Sequence, residues 1–303
     1  MKYFLVDSGW EVSSSQLIRA IGDELGRIKI ERLLLTHLHP DHFGGSNAII
    51  KSYSSKMSYH RWESLPLTYY DLFRKNLTQA ANVLGAPLGM LANARARIAA
   101  SLTVLPEPDS YLRDGTIIKG RSGSWRVVHT PGHTPGHICL YRQIDKTLLS
   151  GDHILAKETP NIAFYPIPGY NALHSYFTSL AKVKRLDPRV VLPAHGDNIT
   201  DLSDRIEALM LHHRERLFEI FRALRGDHRS VAEVASSVKW SRGQFESLEN
   251  FDKWLAMLET ISHLEFLVEC DVARKERGPG RSYRLTSHDW SLVEKSMADL
   301  LTQ

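Results

Sequence analysis

Thr36-His37-Leu38-His39-Pro40-Asp41-His42-Phe43-Gly44-Gly45 is the stretch of sequence that decides the fold of this chain. It follows the apolar run at 32–35, which is typical of a buried strand. In an extended segment His37 and His39 point the same way, so both can reach one metal ion. Asp41 and His42, beyond Pro40, can turn toward a second ion. Neutral imidazole and carboxylate are ligands of zinc, iron and manganese, so the stretch predicts a metal site.

Three further candidate ligands each follow a later predicted strand. His133 lies in a Pro-Gly-His-Thr-Pro-Gly turn, where glycines let the backbone come close. Asp152 follows the apolar run at 147–150, and His195 follows the run at 188–193. Each residue taken singly has an ordinary structural interpretation as a turn, cap or loop residue. Because ligands collect at the carboxyl ends of strands in α/β layers, the repeated placement favours one shared site.

The pattern of the chain divides it near residue 202. Residues 1–202 alternate strands and helices, which predicts one catalytic domain with a helical insertion at 61–104 that covers the site or forms a dimer contact. Residues 203–303 begin with three helices, and strands are predicted at 267–272 and 282–285, before a last helix at 290–301. Helix, helix, helix, strand, loop, strand is the order of a winged helix, so a second, winged-helix-like domain is expected there.

Composition and charge restrict the class of protein. The chain has 303 residues, of which 43% are hydrophobic and 24% charged, as in ordinary globular proteins. It has no apolar run of about 20 residues that could span a bilayer, no signal-peptide pattern, and two cysteines far apart. We therefore expect a cytoplasmic protein with reduced thiols and no membrane partner. Of the net charge of +4, residues 203–303 contribute −2 and the preceding part +6, which weakly favours anionic substrates.

These motifs together resemble the metallo-β-lactamase superfamily, and within it the binuclear hydrolases of the glyoxalase II type. The matching segments span residues 3 to about 200: Thr36–Gly45, Thr130–His137, Ser150–Asp152 and Leu192–Gly196. The resemblance implies an αββα sandwich, with two sheets face to face and helices outside. It also implies that His37, His39 and His133 hold one metal ion, that Asp41, His42 and His195 hold the other, and that Asp152 bridges the two.

The chemistry expected of such a site is hydrolysis. Two divalent ions, zinc in the first place and iron or manganese as alternatives, would share a bridging hydroxide, because coordination lowers the pKa of water to about 7. The hydroxide attacks a carbonyl or phosphoryl centre, and Asp41 is the candidate catalytic residue that takes the released proton. The sequence has no G-x-S-x-G nucleophile elbow, so a serine mechanism is not expected.

The leading functional prediction is a metal-dependent hydrolase of a small thioester, ester or lactone. Four aromatic residues between the last two ligands are candidates to line the substrate pocket: Phe164, Tyr165, Tyr170 and Tyr176. β-Lactamase activity is less favoured, since no secretion signal is present. A non-catalytic protein that uses the fold as a scaffold is least favoured, since every ligand position is filled.

The runner-up prediction is an endoribonuclease or phosphodiesterase acting on single-stranded RNA. The C-terminal part resembles the appendage of a β-lactamase-like subgroup that includes endoribonucleases, and its predicted wing is basic: Arg274, Lys275, Arg277, Arg281 and Arg284. However, the apparent recognition helix at 259–265 has few basic residues. We therefore expect this domain to pack on the catalytic core or at a homodimer interface.

The start of the chain departs from the family pattern. Members of the superfamily usually have a β-hairpin before the strand that matches Tyr3–Val6. This sequence begins at that strand, so the expectation is either a misplaced start or a first sheet with an exposed edge.

Overall fold

The computed structural model describes residues 3–65, 81, 89, 92, 107–225, 229–276 and 280–302. The predicted helical insertion at 61–104 lies almost wholly outside these residues. Among the described residues before 202, the main elements are two sheets and their flanking helices.

The first sheet has four parallel strands. Across the sheet they are β1 (Tyr3–Val6), β2 (Ile30–Leu34), β3 (Lys56–His60) and β4 (Ser110–Leu112). Parallel neighbours need crossover connections, which helices supply here: α1 (Ser14–Leu25) after β1, and the one-turn α2 (Pro40–Phe43) with α3 (Ser46–Tyr53) after β2. Among the described strands β1 pairs only with β2, so it forms an edge of the sheet.

The second sheet has five strands, four of them in an antiparallel meander. They are β5 (Ile117–Gly120), β6 (Gly123–His129), β7 (Ile138–Arg142), β8 (Thr147–Gly151) and β9 (Val190–Pro193). Helix α4 (Ala172–Leu186) lies between β8 and β9, and β9 therefore joins the sheet parallel to β8.

Separate buried clusters define the layers. Side chains alternate between the two faces of a strand. In and just after β2, Leu33 and Leu35 face the cluster that covers α1 and α3, whereas Leu34 faces a cluster shared with the second sheet. That shared cluster takes Trp125 and Leu140 from the second sheet, so it lies between the sheets. A third cluster covers the outer face of the second sheet. The predicted sandwich with helices on both outer faces is confirmed.

The C-terminal region packs on that outer face. Its elements are α5 (Leu202–Ala223), β10 (Arg229–Ser230), α6 (Val231–Ser236), α7 (Asn250–Glu269), β11 (Ala273–Lys275), β12 (Ser282–Leu285) and α8 (Ser291–Thr302). The three short strands form an antiparallel sheet in the order β10-β12-β11. Residues of α4, α5 and α7 belong to one buried cluster, so the region is continuous with the core of the sandwich. Its interpretation as a winged-helix-like domain at 203–303, and the boundary at residue 202, stay predictions.

One predicted strand is wrong. Residues 267–272 were expected to form a strand, but α7 continues to Glu269 and the strand begins only at Ala273. A short apolar run does not by itself distinguish a strand from a buried helix end. Here Leu264 and Leu267 continue the buried face of α7, and the chain turns at Asp271, which has φ 61°.

None of the helices within the described ranges is both long enough and apolar enough to cross a bilayer.

Candidate metal centre

All seven predicted ligands lie at one edge of the sandwich, just beyond the carboxyl ends of strands. His37 and His39 follow β2, and Asp41 and His42 belong to the single turn of α2. The other three follow strands of the second sheet: His133 in the loop between β6 and β7, Asp152 after β8, and His195 after β9. The structure therefore brings together every ligand position that the sequence singled out.

The first ligand group consists of His37, His39 and His133. The Nδ1 atom of His39 lies 3.0 Å from Nε2 of His37 and 3.0 Å from Nε2 of His133. The side chains of His37 and His133 are buried and that of His39 is half-buried. The candidate ligand atoms of the three residues all lie within 4.8 Å of one another. Three imidazole nitrogens converging at this spacing match three ligands of one ion.

The second ligand group consists of Asp41, His42 and His195. Nε2 of His195 lies 3.3 Å from Nε2 of His42 and 3.2 Å from Oδ2 of Asp41. This group is more open than the first, because the side chain of His195 is 42% exposed and that of Asp41 is 25% exposed. Solvent and substrate can therefore reach the second group.

Asp152 lies between the two groups. Its Oδ1 is 3.4 Å from Nε2 of His42 and 3.5 Å from Nε2 of His195, whereas its Oδ2 is 3.7 Å from Nε2 of His133. Oδ1 is buried and accepts no hydrogen bond within the described part of the chain. A buried carboxylate oxygen is normally satisfied. One of the Asp152 oxygens lies toward each of the two histidine groups. This is the arrangement expected of a carboxylate that bridges two cations.

Electrostatics also fit a cation site. Burial is the main cause that lowers the pKa of His37, His39 and His133, so these rings are neutral, as metal ligands must be. Burial opposes the charged form of His42 as well, but the nearby carboxylates of Asp152 and Asp7 outweigh it and raise the pKa of His42 to about 10. A bound cation would replace the proton that this carboxylate pair attracts to His42.

Two further side chains contact the candidate ligands, and Asp7 was not among the predicted site residues. Nδ1 of His42 donates to Oδ2 of Asp7 at 2.9 Å, and Asp7 also accepts from the backbone N–H and the hydroxyl of Thr36. The backbone N–H of Asp152 donates to Nε2 of His137 at 3.1 Å. Asp7 directly follows β1, so its place at a strand end was the signal that could have found it.

Glu63 is a second missed residue. Its side chain is buried, with Oε2 accepting from the backbone N–H of Leu38 at 2.8 Å and Oε1 accepting from Thr134 Oγ1 and Gly136 N at 2.5 and 2.7 Å. Leu38 lies between two ligands of the first group, and Thr134 follows the third. Through these hydrogen bonds Glu63 links the two loops that carry the three residues of this group.

The glycines of the His133 turn are required by close packing, as the sequence predicted. A Cβ atom on Gly132 would lie 2.6 Å from Cβ of Tyr176, and one on Gly136 would lie 2.5 Å from the backbone nitrogen of Glu63. Neither neighbour can move far, because both belong to the interior.

The four candidate pocket aromatics occupy different positions. The hydroxyl of Tyr165 donates to the carbonyl oxygen of His133 at 3.3 Å, and Tyr170 lies beside Tyr165 with ring centroids 6.5 Å apart. The ring of Phe164 lies under the guanidinium of Arg281 at 4.4 Å. Tyr176 is fully buried beneath the centre and its hydroxyl donates to the carbonyl oxygen of His153. Tyr176 is therefore a core residue instead of a pocket wall.

Comparison with known proteins agrees with this site. A family model described as the metallo-beta-lactamase superfamily matches residues 1–195. The chain belongs to the metallo-β-lactamase superfamily. The predicted family is thus confirmed, and with it the predicted enzyme class, a metal-dependent hydrolase. The superfamily typically binds divalent metal ions, consistent with the cluster described above.

Similar proteins extend the match beyond the family model. The chain is 27% identical over 279 residues to the probable metallo-hydrolase YqjP of Bacillus subtilis, which covers 87% of this chain and 83% of that protein. A metallo-beta-lactamase family protein from Thermus thermophilus, TTHA1429, has a TM-score of 0.75 at 26% identity and covers 92% of this chain and 89% of its own. A beta-lactamase domain protein from Burkholderia ambifaria has a TM-score of 0.79 at 26% identity, covering 93% and 83%. The similarity to these metallo-β-lactamase structures therefore includes the C-terminal region.

Proposed function

We propose that this member of the superfamily is a binuclear hydrolase that cleaves a small thioester, ester or lactone. The observation that carries the proposal is the position of Asp152, whose two carboxylate oxygens lie toward two separate histidine groups. His37, His39 and His133 would hold one ion, Asp41, His42 and His195 would hold the other, and Asp152 would serve both. Zinc is the ion that we propose first, because nitrogen-rich sites of this kind suit it.

Two metal ions held there would lower the pKa of water to about 7 and polarise the oxygen of a carbonyl group. The residues of the chain would control the access of water and substrate and would accept the released proton. The first group, in which His37 and His133 are buried, would keep water away from one side, whereas the more open second group would let the substrate enter near His195. Asp41 is part-exposed beside His195, so we propose that its Oδ2 accepts the proton released when water adds to the substrate carbonyl.

A cavity beside the second group supports a small substrate. Its volume is about 560 Å³, and Asp41, His42 and His195 are among the residues that line it. Much of the remaining wall is apolar, with side chains such as Leu5, Leu17, Leu149 and Leu192. A concave, largely apolar cavity of this size, with a few polar groups in its wall, is typical of small-molecule sites. An acyl group with an apolar chain would fit this environment better than a phosphodiester backbone.

The C-terminal region offers little to a nucleic acid. The predicted recognition helix is part of α7, and residues 260–264 of that helix are all buried. The four basic wing residues that the structure describes all pair with glutamates, which halves their charge: Arg274 and Arg284 pair with Glu276, and Lys275 and Arg281 pair with Glu265. Free cations that bind phosphates are what a polynucleotide would need. These contacts favour the carbonyl substrate over the RNA alternative.

A substrate panel tests the proposal. The protein, loaded in parallel with zinc, manganese or iron, would be offered acyl thioesters, lactones, aryl esters and single-stranded RNA. We expect turnover of at least one carbonyl substrate, and we expect Asp152→Ala to abolish it. Cleavage of RNA alone, with loss in the same variant, would instead establish the nuclease alternative. No turnover of any carbonyl substrate by the metal-loaded protein would end the proposal.

A further inference from the structure

The segment at residues 160–165, called here the linking segment, holds His133 at two points. The backbone carbonyl oxygen of Asn161 lies 2.9 Å from Nδ1 of His133 and accepts its hydrogen bond. The hydroxyl of Tyr165 donates to the carbonyl oxygen of His133. A histidine that donates through Nδ1 presents its Nε2 lone pair in a fixed direction, here toward His39 at 3.0 Å.

The C-terminal region holds the same segment at three points. The side-chain amide of Asn161 donates to Oε2 of Glu259 at 2.9 Å, across 98 residues of sequence. The backbone N–H of Phe164 donates to the carbonyl oxygen of Leu258 at 3.0 Å. The guanidinium of Arg281 covers the ring of Phe164 at 4.4 Å. The linking segment therefore lies between α7 and the first ligand group and contacts both.

An ion pair fixes the glutamate that holds Asn161. Oε1 of Glu259 accepts from Nη1 of Arg216 at 2.9 Å, and their side chains are only 12% and 8% exposed. Arg216 also donates to the carbonyl oxygen of Lys239 and stacks over the ring of Trp240 at 4.2 Å. Breaking a buried pair leaves an uncompensated charge, so its geometry is strongly held. The second oxygen of Glu259 is thus a fixed acceptor for Asn161.

From this chain of contacts we infer that the C-terminal region positions a metal ligand. Arg216 and Glu259 hold Asn161 in place, and Asn161 orients the ring of His133. The inference rests on the proposed function, in which His133 holds one of two ions. It gives α5 and α7 a role in the metal centre that does not depend on a nucleic-acid or protein partner. Supporting groups behind metal-binding histidines typically change metal affinity by about 10- to 100-fold.

Zinc affinity is the readout that separates positioning from stability. Two dissociation constants for Zn²⁺ would be measured by competition with a chromogenic chelator, alongside the thermal midpoint. Asn161→Ala removes the amide that reaches Glu259 but keeps the backbone carbonyl. Glu259→Gln keeps the size of the side chain, yet its amide cannot accept from both Arg216 and Asn161. Glu294→Gln is the matched control, because Glu294 pairs with Arg214 of the same helix α5 far from the linking segment.

We expect Asn161→Ala and Glu259→Gln each to raise one of the two zinc dissociation constants by about 10-fold or more. The other constant, and both constants of Glu294→Gln, should equal those of the wild type. If both constants of Asn161→Ala match the wild type, the inference is overturned while the proposed function stands. A wild-type protein that binds no zinc, manganese or iron would overturn the two together.

Discussion

At the scale of single residues, two carboxylates outside the seven candidate ligands accept hydrogen bonds from the candidate metal centre. Asp7 accepts from Nδ1 of His42, and Glu63 accepts from the loops on either side of the first ligand group. Both follow a strand of the first sheet at the edge where the ligands lie. Because buried acceptors that satisfy several donors are costly to lose, these two residues lend themselves to direct tests.

Glu63→Gln should destabilise the protein. The carboxylate accepts three hydrogen bonds, and an amide in its place must turn an N–H toward at least one of the donors Leu38 N, Thr134 Oγ1 or Gly136 N. One buried donor left unsatisfied costs about 1–3 kcal/mol. Urea unfolding of the metal-free protein measures this loss. Glu24→Gln, on the exposed face of α1, is the control and should change the free energy of unfolding little; an equal loss in both variants would contradict the assignment.

Asp7→Asn should weaken the binding of one metal ion more than the binding of the other. The carboxylate fixes the ring of His42 and makes it a better ligand, and groups in this position change metal affinity by about 10- to 100-fold. Zinc titration of the variant should show one weakened site. Asp109→Asn is a suitable comparison, because Asp109 accepts from the backbone N–H of Met57 and contacts no candidate ligand. Unchanged affinity at both sites of Asp7→Asn would disprove the role.

At the scale of elements, α5 and α7 meet through two buried histidines. Nδ1 of His213 lies 3.1 Å from Nε2 of His263, whose own Nδ1 donates to the carbonyl oxygen of Glu259. Burial, reinforced by the neighbouring His212 and Arg216, lowers the pKa of His213 well below its usual range and the pKa of His263 to about 3. Both rings are therefore neutral in the folded protein at pH values where they are protonated in the unfolded chain.

This pair predicts acid sensitivity of the helix packing. Above pH 6.5 both states carry neutral rings, so the full stability is present; below it the unfolded chain binds protons first and stability falls. Each histidine contributes a slope of up to about 1.4 kcal/mol per pH unit. The double variant His213→Gln/His263→Gln lacks this slope. With EDTA present, its free energy of unfolding should approach that of the wild type between pH 6.5 and 4.5; parallel curves would contradict the prediction.

At the scale of the whole molecule, short local patterns predicted the candidate ligands, and the resemblance that these motifs carry implied the sandwich. The four ligand-type residues after β2, the turn around His133 and the strand ends before Asp152 and His195 are all short motifs. The side-chain contacts of Glu63 and Glu259 were not predictable in this way, since they join segments 25 to 98 residues apart. The end of α7 was misjudged because Leu267 and Val268 suit a strand and a buried helix equally.

The metal content of the purified protein tests the central claim most directly. Inductively coupled plasma mass spectrometry would be applied to the wild type and to His195→Ala after exhaustive dialysis. We predict two divalent ions per chain in the wild type. We predict about one in His195→Ala, which loses a candidate ligand of the open second group while the first group of His37, His39 and His133 stays complete. Fewer than one ion per wild-type chain, or the same content in both proteins, would contradict a two-ion centre.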